Sequence, residues 1–262
     1  MQKLPTRIVD KPWGRTGIDP KYGVDPRRKI GELWFEAPPG RPLDVMAKYL
    51  FTSERLSIQV HPDDNTARAH GHRCGKEEAW LILHAEPDAE LGIGTVRPVP
   101  TDELLAAAND GTIVDLIDWR RPRTGDFIVN PARTVHALGA GLTVLEVQQA
   151  IDLTCRIYDY GRPRDLHHEE AGDACDAKPH IHPLDGPLGD ASRVLIDGDH
   201  FGVAWCVGAA PPIPSHARDI QLLPIDAPIG DLAEGECALV SAEEAAALSS
   251  SGRFVLAWSV PA

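Results

Sequence analysis

The chain has 262 residues, 43% of them hydrophobic, and 26 Lys and Arg against 39 Asp and Glu, for a net charge of −13. That apolar content fills one large or two modest cores, since a domain takes about 100–200 residues. The acidic balance, with no basic run beyond Arg27-Arg28-Lys29 and the broken Arg120-Arg121-Pro122-Arg123, excludes a nucleic-acid footprint.

The N-terminus MQKLPTRIVDKPWG lacks a signal-peptide core, and no stretch approaches the ~18–20 apolar residues of a membrane span, so a soluble, cytoplasmic protein is expected. Cys74, Cys155, Cys175, Cys206 and Cys237 are odd in number and include no C-x-x-C pair. Reduced structural thiols are expected rather than disulfides or a thiolate metal cage. An acidic chain that handles an anionic substrate must gather its positive charge inside a pocket.

Taken in chain order, short strand-like runs bounded by Gly, Pro or Asp occur at 32–37, 43–51, 56–61, 78–83 and 89–96. A helix follows at 101–109, with Thr101 as N-cap and Asn109-Asp110-Gly111 as its stop. Strand patterns return at 127–131, 134–138, 142–149 and 153–160. Residues 161–192 lose apolar periodicity and read as a connection. A second block offers strands at 193–197, 201–208, 220–225, 236–241 and 253–260 and a short helix at 242–248. The pattern predicts an all-β protein with a catalytic domain over 1–165, a connecting segment over 166–192 and a smaller β-rich domain over 193–262. The second block is similar to the first in strand spacing without a residue-by-residue repeat.

Four polar side chains interrupt these apolar strands. Gln59 and His61 lie two apart and share a strand face; Glu78 opens the run EAWLIL; His136 lies in FIVNPARTVHAL. Singly, each reads as a core histidine or a surface acid. Jointly, three such groups would cost several kcal/mol if buried without partners. Two imidazoles, a carboxylate and a weak amide instead suit a catalytic divalent ion with open positions. The bare set also suits a non-haem Fe(II) oxygenase. His180 and His182 sit in the connection with no strand to fix them, His167 and His168 read as a solvated helix start, and Asp63 and Asp64 as a turn able to orient His61.

Residues 125–136 resemble the second cupin motif, G-x5-P-x-G-x2-H, with Arg133 where glycine is usual. The blocks DKPWG, LSIQVHPDD, GKEEAWLIL, PARTVHALGAG and LEVQQAIDLTCRIYDYGRPRDLH, spread over about residues 10–170, resemble the type I mannose-6-phosphate isomerases. That resemblance implies a cupin double-stranded β-helix barrel with a short helical insertion in a compact form. It also implies one Zn2+ per chain on Gln59, His61, Glu78 and His136, an essential Arg156, and interconversion of mannose 6-phosphate and fructose 6-phosphate. Arg133 would be strained if its φ is positive, and Ile151 and Cys155 depart from the family's usual Ser and Tyr.

Such an isomerisation removes a carbon-bound proton beside a carbonyl and must stabilise an enediolate, which a Lewis-acid ion does without titrating. Arg156 shares a strand face with Thr154 and Tyr158, and its guanidinium suits holding an anion rather than accepting a proton. Glu146 reads equally as the base or as a structural partner of Arg156. Ser57 and Lys76 are the phosphate-binding candidates, and Lys76, two residues before Glu78, is expected to stand beside that carboxylate. A sugar-phosphate-binding protein without turnover is the remaining alternative.

Overall fold

The computed structural model describes residues 1–261. The chain divides into two compact units, one comprising residues 50–146 and 151–187, the other residues 1–49, 147–150 and 188 onward. The pattern of the sequence draws its boundaries after residues 165 and 192 instead. The N-terminal residues group with the C-terminal block because Gln2–Lys3 pairs with Ala238–Val240, placing Gln2 opposite Leu239.

In the first of these units a five-stranded antiparallel sheet runs in the order Cys155–Tyr158, Ile58–Val60, His136–Leu138, Leu91–Thr95, Ile117–Arg120. Facing it are Gly186–Pro187, Asp126–Asn130, Glu78–Ala85 and the strand Leu142–Gln149, of which residues 142–146 belong to this unit, in that order. Two sheets of short, tightly punctuated strands form the all-β double-stranded β-helix of cupin type. Alternation fixes what each face meets. Ile58, Val60, Ala137, Cys155 and Ile157 are buried on the outer face under helices, which leaves Gln59 and His136 to point inward.

The helix over Thr101–Asp110 buries Leu104 and Ala108 and ends at Gly111 in the left-handed region, φ 86°. Its N-cap is Pro100, not Thr101, and no side chain caps it, because extended Pro100 directly precedes the first turn. Within the connecting segment the helix start read at His167 and His168 opens a helix, His168–Ala174, that buries Ala171 and Ala174. Two alanines are too small to register as apolar periodicity, yet they seal the outer face of the sheet. The Asp63-Asp64 turn opens a further helix, Asp64–Ala69, whose first turn is held by the Asp63 carboxylate accepting from the Thr66 N–H at 2.8 Å.

The second unit is built on an antiparallel sheet in the order Gln2–Lys3, Ala238–Val240, Arg218–Pro224, Ser249–Ser259, Phe201–Ala209, Arg193–Asp197. Ser241 and Glu244 close a reciprocal capping box on the short helix Ala242–Ala246. Thr6–Val9 pairs antiparallel with Glu32–Phe35, which neighbours Val45–Phe51, a strand whose last two residues group with the first unit. Gly202 lies opposite Trp258, and a Cβ there would fall inside the buried indole ring. Gly202→Ala is therefore expected to destabilise the protein by about 1–3 kcal/mol through overpacking, lowering Tm by about 2–4 °C per kcal/mol in a thermal melt. An unchanged melt would mean that the indole moves aside at no cost. The five cysteines are free, as expected, and no helix among the described residues is long and apolar enough to cross a membrane.

Candidate metal centre

Strand register assembles the site. His136 stands directly opposite Gln59, and Gln59 directly opposite Arg156, so one cross-strand row puts all three side chains on the inner face. Ser57 and His61 flank Gln59 on the same face by the two-residue repeat. Glu78 comes from the facing sheet, opposite Asn130. His136 Nε2 lies 3.3 Å from Glu78 Oε1, and His61 Nε2 lies 3.5 Å from Glu78 Oε2. One ligand atom from each of these three residues falls within 4.8 Å of the others, and all three residues are 1% exposed.

The electrostatics leave these groups as electron-pair donors. Burial, reinforced by the nearby Lys76 ammonium, pushes His61 down to about 3, so its imidazole stays neutral. Burial alone would raise Glu78, but the adjacent Lys76 ammonium above all outweighs it and holds the carboxyl well below its usual range. His136 Nδ1 lies 2.9 Å from the Thr134 carbonyl, which only accepts; Nδ1 therefore carries the proton and Nε2 presents its lone pair to the centre. Gln59 places Nε2 3.2 Å from that lone pair, and its amide oxygen becomes the inward atom when the amide is turned over. Two imidazole nitrogens, a carboxylate and an amide oxygen fit a divalent ion of the zinc type. The centre attracts positive charge: Lys76 Nζ sits 2.9 Å from Glu78 Oε2 and 3.0 Å from His61 Nε2.

Lys76 thus stands beside the Glu78 carboxylate, buried and 3.7 Å from Glu146 Oε1. Trp80 Nε1 donates to Glu146 Oε2 at 3.1 Å, and the Trp80 ring packs edge-on against His136. The Ser57 hydroxyl donates to Gln59 Oε1 at 3.0 Å. Arg156 is half-buried and gives one Nη1 hydrogen to the Asp165 carbonyl at 2.6 Å, while its buried Nε has no partner.

Three expectations are corrected. Tyr158 leaves the face of Arg156, because the register shifts between them and Tyr158 pairs with Ile58, packing on the helix-covered side. Asp63 does not orient His61: its carboxylate is occupied by Thr66 and by Arg133 at 3.5 Å, and His61 Nδ1 has no partner. His167 and His168 are not merely solvated, for they bond the backbone of Arg156 and Ile157. Arg133 does adopt φ 74°, the strained left-handed conformation foreseen for a residue replacing glycine. His180 pairs with Asp185 at 2.9 Å, away from the ligand cluster.

Asn130 and Trp80 carry contacts in the centre that the sequence pattern does not single out. The one available signal is Asn130 itself, a polar residue ending the apolar run before Pro131.

The chain is similar to known proteins over most of its length. It is 34% identical to the probable mannose-6-phosphate isomerase GmuF of Bacillus subtilis over 75% of this chain and 68% of that one. It is 31% identical to the mannose-6-phosphate isomerase of Streptococcus mutans over 65% of this chain and 66% of that one. The crystal structure of the mannose 6-phosphate isomerase from Bacillus subtilis superimposes with a TM-score of 0.79 at 25% identity, over 98% of both chains. No family model matches.

Proposed function

The chain belongs to the type I mannose-6-phosphate isomerase family, and from that premise we propose that it interconverts mannose 6-phosphate and fructose 6-phosphate using Zn2+ held by Gln59, His61, Glu78 and His136. The observation that carries the reading is the meeting of two imidazoles and a carboxylate in one fully buried place that already draws in a cation. When bound, the ion supplies Lewis-acid charge for the two sugar oxygens that exchange roles.

The chain's own residues do the rest. The reaction moves a hydrogen from C2 to C1 and a hydroxyl proton from O2 to O1 through an enediolate, so the site needs an anion holder and a proton carrier. Arg156 is the proposed anion holder: its charge does not titrate away, and its Nε–H has no partner among the described residues. Glu146 is the proposed proton carrier, fixed by Trp80 and close to the Lys76 ammonium. Lys76 and Ser57 are assigned to the substrate's oxygens, as donors on the same inward side.

A coupled assay from mannose 6-phosphate to fructose 6-phosphate tests this. Turnover is expected to disappear on chelation, to return with zinc, and to be the same without oxygen, which an Fe(II) oxygenase would not allow. Turnover indifferent to a strong chelator would end the zinc assignment.

A further inference from the structure

We infer that Asn130 is the positioning residue of the metal centre: it fixes the Glu78 carboxylate in the orientation that faces the two histidines, and so sets the tightness of zinc binding. The inference rests on the reading of the centre as a zinc site. Asn130 ends the strand Asp126–Asn130 directly opposite Glu78, so both side chains leave the sheet on the same inner face. It is 1% exposed, and its Nδ2 donates to Glu78 Oε1 at 2.7 Å. The same oxygen faces His136 Nε2, while the other carboxylate oxygen faces His61 and Lys76.

The direction of the amide follows from the charges around it. Turned over, the amide would set its carbonyl oxygen, an acceptor, against a carboxyl oxygen 2.7 Å away, so Nδ2 is the atom that faces Glu78. The hydrogen bond from Asn130 holds Oε1 while Lys76 holds Oε2 at 2.9 Å, so Asn130 fixes the end of the carboxylate that Lys76 does not reach. The Asn130 Oδ1 has no partner among the described residues, so the amide acts through Nδ2. Nδ2 also lies 3.1 Å from His136 Nδ1, whose proton is directed to Thr134, which places the amide at the joint between two ligands. Groups that hold a ligand in this way typically contribute about 10–100-fold in metal affinity.

The test is a zinc titration of the full chain, stripped of metal, against a chromophoric chelator, with the absorption spectrum of the Co2+-loaded protein as a second readout. Asn130→Leu keeps the branched shape and removes the donor; Asn130→Ser is smaller and polar and serves if the leucine variant does not fold. Either folded variant is expected to bind zinc at least about tenfold more weakly than the parent and to shift the Co2+ bands. Parental zinc affinity and an unshifted Co2+ spectrum in a folded variant would overturn the inference. A parent chain that itself fails to bind zinc would instead overturn the reading of the centre.

Discussion

Glu78→Gln is expected to abolish turnover, lowering kcat/KM by about a thousandfold or more, and to empty the zinc site on dialysis. Glu78 is the sole carboxylate in the ligand cluster, and it is the group both histidines face. On the proposed zinc reading, an ion held there would supply several kcal/mol of charge stabilisation on the reacting oxygens, and each 1.4 kcal/mol is a factor of about ten. A second effect separates this substitution from ordinary core damage. In the metal-free protein the neutral amide leaves the Lys76 ammonium, 6% exposed at its side chain, without its nearest counter-charge. Breaking a buried pair of this kind costs about 3–5 kcal/mol, reduced here because Glu146 lies 3.7 Å away on the other side. The metal-free variant should therefore melt below the metal-free parent. Full zinc content by elemental analysis together with parental kcat/KM would remove Glu78 from the centre.

The inward direction of Gln59 and His61 is readable from sequence, because a period of two is a local property of the strand Ile58–Val60 and its flanks. That they meet His136 and Arg156 is not local: it depends on register between strands far apart in the chain, which no alternation pattern specifies. Tyr158 shows how sharply this matters, since one bulge reverses the face that parity assigns to it. Asn130 is missed for the same reason, its partner being fixed by pairing across the sheet rather than by neighbours in sequence. Arg133 is the opposite case. A motif position that calls for glycine announces a left-handed turn whatever residue occupies it, and the chain adopts φ 74° there. The helix His168–Ala174 lies between these cases: its start is polar and its buried face consists of alanines, so only the packed structure reveals that it covers a core.

Lys76→Met is expected to lower kcat/KM by about a hundredfold or more while leaving zinc affinity equal or tighter. The two halves of this result come from one geometry. Lys76 Nζ lies 2.9 Å from Glu78 Oε2 and 3.0 Å from His61 Nε2, the same lone pairs a divalent ion would use, so ammonium and ion compete for them. Methionine keeps an unbranched stem in the buried channel and removes the competitor. Without it, Glu78 depends on the ion alone for a counter-charge, which favours binding. Turnover suffers because the reaction loses a charged donor held within 3.7 Å of Glu146, and a positioned proton-transfer or charge-stabilising group contributes about 10²–10⁴-fold. The steady-state parameters divide the remaining roles. A rise in KM with kcat preserved places the ammonium on the substrate's phosphate, whereas a fall in kcat places it in proton traffic with Glu146. Parental kinetics, or zinc lost along with the lysine, would show that Lys76 only supports the ligands.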